Sequence, residues 1–401
     1  MRKLSFALTM SMLTCSLLTV SAQSQWPTKS WTIARPDAVG LNADTLAALD
    51  SDLANGKYGH IDGMIIIRNG KLAFDRSYKN DYDRIYGEEA KKQGALNAHD
   101  PSGPFNYFNP WWHPFYRRGN LHTLQSVTKT ITSVVIGVAM ARKEFPNLET
   151  PILSFFDVSK VKNIDDRKRR ITIRHLLTMT SGFEWNENLP YDDPNNPSSL
   201  MEASSDWVQF VIDRPMSDDP GKIFNYNSGA TELLSHIFRL ATGMDIEEYA
   251  AHYLFSPLGI EQYYWKRTPT GLADTEGGLY LNMYDLAKIG YLFLNNGTWD
   301  GRQIIQPEWV KASIMPSITV RPGVKYGYKW WLYSYGSDSS GTAWAGSGFG
   351  GQVPMVLPEY DLIFVVTAWN ILDGMPRLRG QEALQRILRA VIDPRNRDPK
   401  K

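Results

Sequence analysis

The chain has 401 residues, 43% hydrophobic and 21% charged, the composition of a folded protein with a large core rather than of a disordered one. Its 43 Lys+Arg and 42 Asp+Glu leave a net charge of +1, so no polyanion partner is implied, and no nucleic-acid motif is present. The one cysteine, Cys15, rules out a disulfide framework and cysteine metal sites.

The chain starts "MRKLSFALTMSMLTCSLLTVSAQ". Arg2 and Lys3 precede an apolar, Ser/Thr-rich run, and Val20-Ser21-Ala22 forms a small-residue cleavage site. This is the pattern of a secretory signal peptide over 1–22. An uncleaved anchor is the alternative, but the run is short for a span of about 20 residues. The expectation is a periplasmic or secreted mature chain, 23–401, with no thiol and no stable membrane span.

"LNADTLAALDSDLANG" reads as an amphipathic helix capped by Asn42 and ended by Gly56. "GMIIIRNGKLAFDRSY" reads as a hairpin, with strands 64–68 and 71–77 joined by the turn pair Asn69-Gly70. Residues 79–120 have no regular pattern. Within them, "FNYFNPWWHPFYRR" is either a loop packed on its own rings or an aromatic wall of a substrate cleft, with Trp112 and His113 as contacts. The middle, about 121–310, reads as mainly helical. "IRHLLTMTSG", "ATELLSHIFRLATG" and "MYDLAKIGYLFLNNG" are apolar stripes closed by Gly182, Gly243 and Gly297. The period then changes to strands in "YGYKWWLYS", "GGQVPMVLP" and "DLIFVVTAW", with "PEYD" as a turn, before a last helix, "GQEALQRILRAVID". The simplest packing is an α/β (α+β) fold in one domain. Both chain ends, about 32–120 and 311–395, close one antiparallel sheet flanked by N- and C-terminal helices, and the helical part is a large insertion.

The chemistry concentrates in "LHTLQSVTKTITSVVIGVAM". Lys129 stands at the head of a helix that carries no other ionisable side chain through residue 141. Ser126 and Lys129 are three residues apart and share a helix face. Burial and the positive end of the helix dipole both disfavour an ammonium there. The amine can then accept the Ser126 hydroxyl proton, which is what an activated serine nucleophile requires. The same spacing recurs at Ser159 and Lys162, in the charged segment "DVSKVKNIDDRKRR", and reads as chance. Tyr226, in "GKIFNYNSGATELL", is either a proton shuttle near the lysine or a packed tyrosine bonded to backbone. The glycines of "WAGSGFGGQVPMVLPEYD" either let backbone N–H groups form an oxyanion hole with that of Ser126 or mark a bulge. Asp274 and Glu276 in "GLADTEGGLYL" either orient a cleft rim or cap a turn. The seven histidines show no metal-ligand spacing, so neither metal nor cofactor is expected.

The order Ser-x-x-Lys, tyrosine loop, glycine-rich strand resembles the serine β-lactamase and penicillin-binding superfamily. The segments "IRHLLTMTSGFEW", "FNYNSGATELLSHIFRLATG", "LFSPLGI", "GGLYLNMYDLAKIGYLFLNNGTW" and "GFGGQVPMVLPEYDLIFVVTAW" are similar to its class C branch. That branch includes class C β-lactamases, D-alanyl-D-alanine carboxypeptidases, family VIII esterases and nylon-oligomer hydrolases. The likeness runs over about residues 35–372. It implies Ser126 as nucleophile, Lys129 as general base, Tyr226 as its proton partner, and oxyanion donors at the N–H of Ser126 and Phe349. Two departures bear on substrate. The usual Tyr-x-Asn is Tyr226-Asn227-Ser228, so Ser228, or Asn227 in its place, would meet a substrate amide. The usual Lys-Thr-Gly is Gly346-Ser347-Gly348, a substrate strand without the cation that holds a carboxylate. Both point to small, neutral esters or amides cleaved through an acyl-enzyme. The rival enzyme reading is a β-lactamase or D-alanyl-D-alanine carboxypeptidase. The rival of another class is a non-catalytic binding or sensor protein on the same fold.

If the signal reading holds, the exported protein starts near Gln23 and carries no thiol. Intact mass checks this, and a mass retaining Cys15 would mean an anchored chain.

Overall fold

Strands from the N- and C-terminal parts of the described chain pair side by side within one sheet. The computed structural model describes residues 26–97, 102–336 and 339–392; the signal segment 1–22 lies outside them. The N-terminal part supplies β1 (Thr32–Ile33), β2 (Ile61–Arg68) and β3 (Lys71–Ser77). The middle supplies β4 (His122–Thr123), β5 (Tyr264–Trp265), β6 (Leu279–Leu281), β7 (Thr298–Trp299) and β8 (Arg302–Gln303). Then come β9 (Ile318–Arg321), β10 (Val324–Tyr326), β11 (Trp331–Tyr335), β12 (Gly341–Ala345), β13 (Val353–Leu357) and β14 (Leu362–Ala368). The nine-stranded sheet runs β1-β3-β2-β14-β13-β12-β11-β10-β9, and β4-β6-β5 form a small second sheet.

β2 and β14 pair antiparallel at the centre, with Ile66 opposite Phe364. Every residue of both strands is buried, because helices cover both faces. Along β2 the side chains alternate between two cores. Ile65 and Ile67 join the helical side, while Met64 and Ile66 face the N- and C-terminal helices Ala43–Ala54 and Gly380–Ala390. The predicted hairpin forms with Asn69 and Gly70 both at positive φ, 53° and 68°. Asn42 caps the first helix by accepting from the Thr45 N–H at 2.8 Å. The edge departs from the antiparallel expectation, since β1 pairs parallel with β3.

The helical stripes differ in how they end. Gly229–Thr242 closes on Gly243 at φ 72°. Met283–Leu294 stops at Asn295, with Gly297 two residues on at φ 77°. The predicted helix to Gly182 is only Ile173–Leu177. Thr178 Oγ1 donates back to the Arg174 carbonyl and meets Thr180 Oγ1 at 2.8 Å, and Met179 turns left-handed at φ 58°. Threonine hydroxyls here compete with the helical ladder, although Met179 and Phe183 still reach the core. Among the described residues no helix is long and apolar enough to cross a membrane.

Candidate active site

The turn from β4 into the helix Val127–Ala141 aims Ser126 at a cavity. Leu124 N–H is tied to the Leu279 carbonyl at 2.9 Å. Gln125 is then forced to φ 47°, a left-handed conformation that costs a non-glycine residue energy and is held by its surroundings. The Gln125 side chain donates to Thr123 Oγ1 at 3.0 Å and braces the turn.

Lys129 is 1% exposed. Its Nζ lies 2.7 Å from Ser126 Oγ and donates to the Glu276 carbonyl at 2.7 Å. The Glu276 carboxylate lies 3.6 Å away. The Tyr226 ring centroid is 5.3 Å from Nζ, and that ring stacks on Trp331 at 5.8 Å. Burial, then the charge of Glu187, push the Tyr226 hydroxyl well above its ordinary value, while the Ser126 hydroxyl pulls the other way. Tyr226 is therefore a neutral phenol that can donate or relay a proton.

The cavity has a volume of about 480 Å³ and is lined by Ser126, Tyr226, Ser347, Gly348 and Phe349 among others. The N–H groups of Ser126 and Phe349 donate to no acceptor among the described residues. Both are free for a developing oxyanion. The glycines fix this arrangement. A Cβ on Gly348 would come within 2.4 Å of the Leu124 carbonyl, so only glycine lets the segment after β12 pass this close to the serine turn. Gly350 and Gly351, at φ 86° and 116°, then fold the chain back into β13.

The Beta-lactamase family profile matches residues 54–387. The chain belongs to the Beta-lactamase family. Over 195 residues it is 27% identical to monacolin J acid methylbutanoyltransferase of Aspergillus terreus, covering 43% of this chain and 47% of that one. It thus spans about half the length of that relative. Over 282 residues it is 22% identical to 6-aminohexanoate-dimer hydrolase of Paenarthrobacter ureafaciens, covering 64% and 69%. Among solved structures, "EstCE1, a hydrolase with promiscuous acyltransferase activity" superposes with TM-score 0.62 at 15% identity, over 87% of this chain and 99% of that one. The octameric penicillin-binding protein homologue from Pyrococcus abyssi superposes with TM-score 0.59 at 18% identity, over 88% and 78%. At these identities the superpositions show the fold. Hydrolases and acyltransferases both stand among the relatives of this Beta-lactamase-family chain.

Several expected contacts of the family member lie away from the cavity. Ser228 is buried, and its Oγ donates to Glu187 at 2.6 Å. Asn227 Oδ1 accepts from the Ala230 N–H at 2.9 Å. Neither residue lines the cavity; the Asn227 Nδ2 amide group is buried with no partner among the described residues. Gly346 is buried too; a Cβ there would meet Val127 and Pro354 at 3.0 Å, so a side chain at this position would press on the serine helix. Trp112 stacks on Tyr264 and donates to the Ser102 carbonyl at 2.6 Å. His113 is buried, parallel to Trp369 at 5.2 Å, with Nε2 2.8 Å from the Pro104 carbonyl; burial holds its ring well below the ordinary histidine value. The aromatic segment is thus packed on itself and does not wall the cleft. Ser159, of the second Ser-x-x-Lys, is exposed and bonds to Asp157.

Other residues at the site were not legible. Arg321, Arg377 and Arg379 line the cavity, and among the described residues no acidic side chain does. They come from β9 and from the approach to the last helix, far from any recognisable motif. Glu187 accepts hydrogen bonds from Trp185 Nε1, Tyr191, and the N–H and hydroxyl of Ser228, and so joins the tyrosine loop to the cavity wall. Lys329 sits in the left-handed region at φ 63°, 1% exposed, with Nζ 3.4 Å from the thioether of Met179. Burial, then the charge of Lys129, push its amine well below the ordinary lysine value.

Lys329 sets a pH dependence of stability. Between its lowered folded value and about 10.4, the unfolded chain binds more protons than the folded one, so stability rises with pH. Lys329→Met should raise the unfolding free energy at neutral pH by roughly 1–3 kcal/mol and flatten the rise toward alkaline pH. Urea unfolding at neutral and alkaline pH checks this; an unchanged slope would mean that Lys329 is charged in the fold.

Proposed function

We propose that this family member is an exported serine hydrolase that cleaves small esters or amides through an acyl-enzyme on Ser126. The observation that carries the reading is the 2.7 Å contact of a buried Lys129 amine with Ser126 Oγ at the floor of an open cavity. In the proposed cycle, Lys129 takes the hydroxyl proton as Oγ bonds to the substrate carbonyl carbon. The carbonyl electrons move to oxygen, which the N–H groups of Ser126 and Phe349 receive. Tyr226 relays a proton to the leaving group. Water then repeats the attack on the acyl-enzyme and restores Ser126.

The charge of the cavity alters the expectation of neutral substrates. Gly346 offers no cation, but Arg321, Arg377 and Arg379 do, from another wall. This favours an ester or amide that carries a carboxylate on its acyl or leaving group. A second reading, acyl transfer to an alcohol instead of water, is favoured by the 27% identity to a methylbutanoyltransferase. Added alcohol that diverts the acyl group into a new ester would identify it.

Ser126→Ala should abolish turnover and fluorophosphonate labelling while the fold is kept, and Ser159→Ala should change neither. A well-folded Ser126→Ala protein with normal turnover would end the mechanism, and a wild type that neither labels nor turns over would favour the binding-protein reading. For charge, the ratio of kcat/KM for a p-nitrophenyl ester of a dicarboxylic acid to that for p-nitrophenyl butyrate should drop in Arg377→Gln. A hydrogen bond to a charged group is worth roughly 1.5–3 kcal/mol, so the drop should be about ten- to a hundredfold. A ratio unmoved by replacing each arginine in turn would restore the neutral-substrate expectation. Nitrocefin turnover faster than any ester would favour the β-lactamase reading.

A further inference from the structure

Resting on the hydrolase reading, we propose that Glu276 is the positioning residue of Lys129. Besides its own chain the lysine nitrogen has three directions, which in the neutral amine are two N–H groups and the lone pair that accepts a proton from Ser126 Oγ. One goes to Ser126 Oγ; the main-chain carbonyl of Glu276, at 2.7 Å, takes the second. The carboxylate of the same residue, at 3.6 Å, faces the amine from the third side. Glu276 thus fixes where the amine points as well as the charge it meets.

The turn that carries Glu276 is itself clamped. Its N–H and the Thr275 hydroxyl both donate to Glu232 Oε1, at 2.8 and 3.0 Å. Gly277 N–H donates to Asp274 Oδ1 at 2.8 Å. Near the Glu276 carboxyl lies a second buried carboxyl group, that of Glu202. Glu202 also accepts from the Tyr107 hydroxyl at 2.7 Å. Tyr107 in turn receives Lys266 Nζ at 3.3 Å, and Lys266 pairs with Asp274 at 3.3 Å. All of these side chains are buried.

Charged groups surround both acids. Lys129 on the serine helix faces Glu276, together with Asp274 of its own turn and Glu187 of the loop before the helix Pro197–Glu202. Lys266 beside β5, and Tyr107, face Glu202. Burial raises both acids, Glu202 well above its ordinary value, while Lys129 pulls Glu276 back down. The carboxyl group of Glu276, 3.6 Å from Nζ, is the acid of this cluster that a cation on Lys129 favours as a carboxylate. When Oγ bonds to the carbonyl carbon, the hydroxyl proton moves to Lys129 Nζ and makes an ammonium. Glu276 is already in place to stabilise that ion, and no other reactant is needed.

The test uses the full chain and two conservative variants. Glu276→Gln keeps the main-chain carbonyl and the shape but loses the charge. It should lower kcat for a p-nitrophenyl ester about a hundredfold, within the usual range of an acid–base contribution, with KM little changed. The acidic limb of its pH–rate profile should move to lower pH, because an amine without a carboxylate neighbour releases its proton more easily. Glu276→Asp should recover most of the wild-type profile. Nitrogen-15 lysine NMR reads the Lys129 amine without substrate, and its titration should also move to lower pH in Glu276→Gln alone. Loss of kcat with an unmoved limb and an unmoved amine titration would make Glu276 merely structural. Absence of Ser126-dependent turnover in the wild type would refute the hydrolase reading by itself, and the amine titration would still decide the role of Glu276.

Discussion

A lysine amine that has lost its water must be given partners by the protein. Lys129 is 1% exposed, and removing a cationic group from solvent without compensation is among the most costly events in folding. Much of the site follows from meeting that demand. The serine turn supplies one partner and the Glu276 turn supplies another. The second turn comes from 147 residues along the chain, so the amine can be satisfied only after the small sheet β4-β6-β5 has formed. In that sheet His122 pairs with Leu281 and Thr123 with Tyr280, which sets the serine turn beside the Glu276 turn. The site and this small sheet are therefore held by the same contacts.

The sequence was most informative where a physical rule acts between near neighbours. Asn69-Gly70 announced a hairpin because few other residue pairs accept two positive φ angles in a row. Asn42 and Gly243 marked helix ends for comparably local reasons. Ser126 and Lys129 were legible because three residues on a helix are one turn in space. Where the fold had to decide, the sequence was silent or misleading. Asn227 and Ser228 have the side chains to bind a substrate amide, but whether they face the cavity depends on Glu187, 41 residues from Ser228. "IRHLLTMTSG" has a helical stripe, and its threonine hydroxyls end the helix early. No periodicity links Arg321, Arg377 and Arg379 to Ser126; only the sheet order and the position of the last helix bring them to one wall.

The aromatic segment shows how composition alone can suggest a cleft. Phe105, Tyr107 and His113 are buried, and His113 lies parallel to Trp369, just beyond β14. Rings with that much surface to hide pack first against one another. One of them, Tyr107, nonetheless carries a hydroxyl into the carboxyl group network, so the segment reaches the chemistry from behind and not through the cleft.

The three arginines have a consequence at the end of each proposed turnover. Cleavage of an ester releases a carboxylic acid, which ionises at neutral pH. Whatever the charge of the substrate, the departing acyl product is an anion in a cavity whose lining is cationic and free of acids among the described residues. The field that draws an anionic ligand in holds this product back. Electrostatic attraction of this kind decays over a Debye length of about 8 Å at physiological ionic strength, comparable to the width of such a cavity. Dissolved salt would then act as a release agent, and the pace of the enzyme in dilute buffer would be set by the exit of its product.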